Sequence, residues 1–409
     1  MAIATSTLLV YLGSDHAPLL VGRAFITARR KTLTTTFRYD DVYLANPRMR
    51  PVSPDLPLGG RISVNALPGA MADGAPDRWG RKLIERRIKA EARLEGRTPP
   101  IITEVDYLLG ASDLMRHGAL RYRQEGSDNF LAQGVSVPLL LDLPKVLQAT
   151  DAVGDSDRDD ELAAIKFLLQ AGSSALGGAR PKASVSDGAQ LHIAKFPHRS
   201  DEWDVMGWEM VALDLAKLCG IKVPVSRLED IGGRNVLLLK RFDREGDLRI
   251  AYISAMTMLG GVDGGQFDYI ELAEAISDHG SSVRRDLEEL WRRIAFSIAI
   301  HNTDDHMRNH GFLWAGSGWE LSPAFDMNPN PIAASSRSTF IGYQNLPEHE
   351  LLGLMDSAKN FQIDQARANE IWSEVVSGVS KWRQVATSYT IPASEQKRFA
   401  PVLDKYLSA

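Results

Sequence analysis

The chain has 409 residues, 44% hydrophobic and 24% charged, with 47 Lys and Arg against 52 Asp and Glu and a net charge of −5. At about 150 residues per domain, this length suits two or three domains with a cleft, and the composition excludes collagen-like, coiled-coil and disordered chains. The negative balance argues against nucleic-acid binding by bulk positive charge, which rests on neutralising phosphates, and leaves room only for a local basic patch.

Cys219 is the one cysteine, so no internal disulfide forms. Its context LDLAKLCGIKVP places it on an apolar helix face before a Gly stop, where it serves core packing. The N-terminal MAIATSTLLVYLG has no basic leader, and no stretch approaches the roughly 20 apolar residues of a membrane span. The expectation is a cytoplasmic protein without membrane contact.

In chain order, STLLVYL, LLVGRAFIT and TLTTTFRYDDVYL are rich in β-branched and aromatic residues between turn formers, which predicts a small antiparallel sheet within the first 60 residues. APDRWGRKLIERRIKAEARLEG then reads as a helix with Trp79, Leu83 and Ile84 on one face and Gly96 at its end. Its basic density reads as a solvated face. The acidic, apolar-poor DAVGDSDRDDE (151–161) reads as a linker. The helical run ELAAIKFLLQ, a Gly-rich turn, the strand LHIAKF, the helix MGWEMVALDLAKLCG and the strand NVLLLKRFD follow, and helices dominate to the end.

The polar segment HNTDDHMRNHGFLW (301–314) follows a run with Val283, Leu287, Leu290, Trp291, Ile294 and Ile298 on one helical face. Within it Asp304 and Asn309 stand five positions apart, the spacing at which a protein-kinase loop sets its base and a metal-binding amide. A carboxylate accepts a hydroxyl proton, and an amide oxygen suits a hard cation. Asp326 in WELSPAFDMNPNP sits just past a strand end, where kinases hold a metal between phosphates. Lys195, at the end of LHIAKF, suits phosphate oxygens, and Glu209 on the next helix is a candidate ion-pair partner for it. GSSALGGARPKA (172–183) lets backbone N–H groups approach an anion, although it fits neither the Walker nor the Rossmann pattern. Each signal alone has a plain structural alternative. Their linear order, each appearing once, is that of a phosphotransferase.

Taken together, these segments resemble the HipA-type serine/threonine kinases, toxins of bacterial toxin–antitoxin modules. The resemblance runs from FRYDDVYLANPRMRPVSPDLPL, LPGAMADGAPDRWGRKLI and DYLLGASDLMRHGALRY through GGARPK, HIAKFP, KRFDR, NTDDHMRN and SPAFD. It implies an α+β, protein-kinase-like fold: a β-rich N-terminal subdomain (1–125), a sheet-bearing nucleotide lobe (126–245) and a mainly helical catalytic lobe (246–409). It also implies ATP and Mg²⁺ as cofactors, with Asp304 the base, Asn309 and Asp326 on the metal, and His306 supporting the loop. Gly177, Gly178, Ala179, Arg180, Pro181 and Lys182 would form the phosphate loop, with Lys195 on the phosphates and Glu209 its partner. Lys240, Arg241 and Phe242 would line the adenine hinge, and Phe325 precedes the metal Asp326. The implied partners are a HipB-like helix-turn-helix antitoxin, operator DNA through that complex, and an aminoacyl-tRNA synthetase as substrate.

Two departures stand out. Asp305 occupies the Gly of the family's TDGH, which places a second charge beside the base. The serine that family members autophosphorylate aligns with Ala175, so any self-modification is expected on Ser173 or Ser174, at low stoichiometry. Two other functions fit parts of the chain. One is a metal-dependent hydrolase built on His301, Asp304, Asp305, His306 and His310; the other is a catalytically weak scaffold that works with a DNA-binding antitoxin in repression.

Overall fold

The computed structural model describes every residue except 1–3, 15–16, 30–31, 77, 132–136, 155–158, 172–179 and 408–409. The chain forms two compact units, each discontinuous in sequence: Met1–Arg199 with Asp230–Ile253, and Ser200–Glu229 with Ser254–Ala409.

In the first unit the β-rich start forms an antiparallel sheet of five strands, in the order Arg61–Val64, Thr32–Tyr39, Leu19–Arg29, Ala4–Leu12 and Leu120–Gln124. Alternation sets its two faces. Leu8, Val10, Ala24, Ile26, Phe37, Tyr39 and Tyr122 point inward and are buried, while most of their neighbours along the strands, Arg121 excepted, are partly or fully exposed. The run TLTTTFRYDDVYL is strand only as far as Tyr39, because the Asp40 carboxylate accepts the Val42 N–H at 3.0 Å and caps the short helix Asp41–Ala45.

The helix Arg78–Leu94 buries Trp79, Leu83 and Ile84 as its spacing predicts. It ends where Gly96, at φ +64°, lets Arg97 N–H reach the Ala92 carbonyl at 2.8 Å. Its apolar stripe joins Val146, Ile165 and Leu168 of two later helices and Val185, Ala194 and Leu238 of the strands beyond them in one core. Each such fully buried Leu, Ile or Val contributes roughly 1.5–3 kcal/mol. The acidic segment 151–161 is therefore not an interdomain linker. Its ends belong to the helices Leu143–Gly154 and Asp159–Gln170 of this unit, and Asp151 is bound by Arg234 at 2.7 and 3.1 Å. Two helices that pack on each other can carry at their facing ends the composition of a linker.

Two of the quoted motifs meet in a buried ionic knot. Asp243 takes hydrogen bonds from Arg241 (2.7 and 2.9 Å), Arg244 (2.9 Å) and the Gly118 N–H (2.8 Å). Arg241 also donates to the carbonyls of Met115 and Arg116, while Asp113 binds Arg121 and Arg249. Burial opposes the Asp243 charge, but Arg241 and Arg244 hold the carboxyl far below its ordinary range. Next to them burial, aided by Arg241, lowers the pKa of His117 to about 4. This imidazole is neutral in the fold, whereas the unfolded chain protonates it near pH 6.5. Stability is therefore complete above about pH 6.5 and lost as pH falls toward 4, by at most about 1.4 kcal/mol per pH unit. Denaturant midpoints across that window should fall more steeply for the wild type than for His117→Gln, and equal slopes would contradict the assignment.

In the second unit the helix Val283–Ala299 is central, with Leu287, Leu290, Trp291, Ile294 and Ile298 all essentially inaccessible. The helices Tyr269–His279 and Gln365–Val379 pack against it. Cys219 is buried against the Val375 carbonyl at 3.4 Å, and burial raises its thiol pKa to about 12, as its packing role predicts. Among the described residues, no helix is long and apolar enough to cross a membrane.

Candidate active site

The helix Val283–Ala299 delivers the loop 301–310, and the reversal at its end is unusual. His301 has φ +53°, a left-handed conformation usually given to Gly, and it lets Asn302 N–H reach the Ser297 carbonyl at 2.8 Å. Its ring is fixed at 3.0 Å on the Ile332 carbonyl, and burial lowers its pKa.

Past this turn the two adjacent aspartates point opposite ways. Asp304 is exposed, with the Ser338 hydroxyl 3.5 Å from its Oδ1. Asp305 is buried, accepts the Tyr269 hydroxyl at 2.6 Å and faces His310 Nε2 at 2.9 Å. Burial opposes its charge, but His310 and the hydrogen bonds outweigh that and hold the carboxyl below its ordinary range. The extra charge thus lies inside the loop's foundation rather than beside the base.

Asn309 closes the loop. Its Nδ2 donates to the Asp304 carbonyl at 3.0 Å. A carbonyl only accepts, so the amide nitrogen must face it and Oδ1 points away, as a metal ligand requires. His306 is half-buried, and its carbonyl accepts the Asn309 N–H at 2.8 Å.

The segment 330–339 clamps the loop from outside. Asn330 Nδ2 donates to Thr303 Oγ1 (2.8 Å), Ser338 N–H to the Thr303 carbonyl (3.0 Å), Arg337 to the Asn302 carbonyl (2.9 Å) and Thr339 Oγ1 to the Asp305 carbonyl (2.7 Å). Arg337 is in turn paired with the fully buried Glu350 at 2.6 Å. Tyr269, Arg337, Thr339 and Glu350 were missed from sequence, and His310 was singled out there only as a candidate hydrolase metal ligand. Partners 36 and 13 positions apart leave no periodic trace.

Asp326 follows the hairpin Gly311–Trp314/Trp319–Leu321 and is half-buried at φ +60°, with half-buried Phe325 before it and Asn328 Nδ2 at 3.4 Å from its Oδ1. An Asp held in the left-handed region marks a position where the surroundings dictate the backbone. An amide oxygen and a carboxylate are hard oxygen donors of the kind Mg²⁺ takes beside phosphate oxygens and water. The hydrolase ligand set does not assemble. Among the described residues no three His, Cys, Asp or Glu side chains converge, because His301 is spent on a carbonyl and Asp305 with His310 turns inward.

In the first unit Lys182 and Lys195 stand directly opposite on the antiparallel strands Lys182–Ser186 and Leu191–Lys195, and both are buried. Opposite residues share a face with Cβ atoms about 5 Å apart, and like charges there repel. Arg180 is half-buried, and the buried Pro181 accepts the Phe196 N–H through its carbonyl. Lys240 ends the strand Asn235–Lys240, opposite His192, and half-buried Phe242 lies 6.3 Å from the Tyr252 ring. Arg241 corrects the sequence expectation. Its guanidinium is taken up by Asp243 and two carbonyls, so its side chain acts as a strut and leaves only the backbone for a hinge role. Glu209 is buried on the helix Val205–Leu218 of the second unit. Gly177, Gly178, Ala179, Ser173 and Ser174 lie outside the described residues.

No curated protein matches the sequence. Among solved structures, HipA of Shewanella oneidensis MR-1, determined as a toxin–antitoxin complex with HipB and operator DNA, is 15% identical. The match has a TM-score of 0.68 and covers 98% of this chain and 96% of that one. The proinflammatory kinase CtkA of Helicobacter pylori is 14% identical, with 56% of this chain and 93% of that one covered and a TM-score of 0.38. The α+β fold is that of HipA, in keeping with the sequence expectation. The family model of the HipA-like C-terminal domain matches residues 174–383, just over half of the chain, which spans the loop, Asp326 and both lysines; the chain belongs to that family.

Proposed function

We propose that the chain is an ATP- and Mg²⁺-dependent serine/threonine protein kinase and the toxin of a toxin–antitoxin pair. The observation that carries this is the loop 301–310, on which Asp304 alone of its acidic residues faces outward while Asn309 braces its backbone. Asp304 accepts the proton of the attacking hydroxyl. Asn309 Oδ1 and Asp326 hold Mg²⁺, which when bound neutralises charge on the phosphates. Lys182 and Lys195 hold phosphate oxygens. Because Asp305 is turned inward, its replacement of Gly gives no reason to expect a catalytically weak scaffold.

The antitoxin is a HipB-like helix-turn-helix protein and operator DNA is reached through it, a proposal supported by the Shewanella complex. The substrate is an aminoacyl-tRNA synthetase, met in the cytoplasm, as the resemblance implies. Self-modification remains assigned to Ser173 or Ser174.

Asp326→Asn tests the metal assignment. An amide keeps the shape but removes the charge, so calorimetry should show Mg²⁺-ATP binding weakened by tenfold or more with the fold retained. Unchanged affinity would remove Asp326 from the metal.

A further inference from the structure

The exposed face of the N-terminal sheet carries a feature that phosphoryl transfer does not use. The strand register sets Arg61 opposite Arg38, Arg38 opposite Arg23, Arg23 opposite Leu9 and Leu9 opposite Arg123. One rung of the five-stranded sheet therefore presents four arginines on a single face. With strands about 4.8 Å apart, the row is roughly 19 Å long. Arg38 and Arg61 are exposed, and Arg23 and Arg123 partly so. Like charges directly opposite destabilise a sheet, so this rung is costly unless an anion lies along it.

The next rung continues the face with Ser63, Thr36, Phe25 and Thr7. It adds hydroxyl donors and an exposed aromatic ring, Phe25 being 39% accessible. Among the described residues, Asp41 lies 3.3 Å from Arg38 and Asp40 3.8 Å from Arg23, while exposed Glu125 follows Thr7 at the end of the next rung. Exposed pairs of this kind are worth little and are readily exchanged. Charge is also divided unevenly along the chain. Residues 1–125 hold 19 Lys and Arg against 13 Asp and Glu, a net +6, whereas residues 126–409 hold 28 against 39, a net −11.

We propose that this sheet face binds single-stranded nucleic acid, with the arginine row on successive phosphates and Phe25 stacked on a base. Three arginines on neighbouring strands, with Arg123 beyond Leu9 stacked on Tyr11 and Phe130, suit a backbone of repeating negative charge. A sheet face with an exposed ring beside its cations offers the stacking platform that single strands use and duplex bases, already stacked, cannot.

Fluorescence anisotropy with the full chain and a labelled 12-nucleotide oligothymidylate tests it. Binding should weaken with salt with a log–log slope near −2 to −3, about −0.7 for each of three or four phosphates. The triple variant Arg23→Ala, Arg38→Ala, Arg61→Ala should bind at least tenfold more weakly and flatten the slope by about 2. Phe25→Ala should bind roughly fivefold or more weakly without changing the slope. All four side chains are on the solvent face, and thermal melting confirms that the variants fold. The proposal is overturned if the wild type does not bind, if the triple variant binds equally well, or if polyglutamate competes as effectively as unlabelled oligothymidylate, which would mark an acidic protein as the partner. Equal binding of a 12-base-pair duplex with no effect of Phe25→Ala overturns it as well.

Discussion

Asp304→Asn should reduce phosphoryl transfer by about 10² to 10⁴ and leave the thermal midpoint within a degree or two of the wild type. The rate falls because an amide cannot accept the hydroxyl proton, and general-base catalysis typically supplies that factor. The fold is spared because Asp304 is exposed and, among the described residues, its side chain is approached only by Ser338 at 3.5 Å, while its backbone carbonyl still accepts from Asn309. Single-turnover kinetics with saturating Mg²⁺-ATP separate chemistry from binding. A variant that transfers phosphate at the wild-type rate would show that Asp304 is not the base. Asp305→Asn should do the reverse. It weakens the Tyr269 and His310 contacts inside the loop, so it should lower stability first and activity through it.

Asp243→Ala should be the most destabilising single change in the first unit, by roughly 3–5 kcal/mol, because it strands the charges of Arg241 and Arg244 in the interior. Set against a typical total of 5–15 kcal/mol, that loss shifts the denaturant midpoint severely and could prevent accumulation of folded protein. Asp243→Asn keeps a hydrogen-bond acceptor and should cost less, so the pair of variants remains informative if the alanine chain fails to fold. Midpoints within about 0.5 kcal/mol of the wild type for both would refute the knot as a stability element.

Local patterns proved legible in sequence because local physics produces them. The alternation of Leu8, Val10, Ala24 and Ile26 gave the first sheet, and the stripe from Leu287 to Ile298 gave the helix that presents the loop. The Asp304 and Asn309 spacing was readable for the same reason, since the brace between them spans five residues. Contacts across the fold were not legible. Arg241 lies 126 positions from Met115, so its strut to that carbonyl left no trace in the motif. Asp305 looked like a second charge beside the base because nothing near it in sequence reveals that Tyr269 lies beneath it. The row of Arg61, Arg38, Arg23 and Arg123 was equally hidden. It exists only once strand register is known, and summed over the chain its charge disappears into a negative balance.

The most direct test of the kinase assignment is incubation of the purified chain with γ-labelled ATP, Mg²⁺ and a cell extract, followed by identification of the labelled sites. Transfer of label to serine or threonine of an aminoacyl-tRNA synthetase, lost with Asp304→Asn and on chelation of Mg²⁺, is the result the account predicts. A chain that binds Mg²⁺-ATP yet labels no protein, itself included, would contradict it.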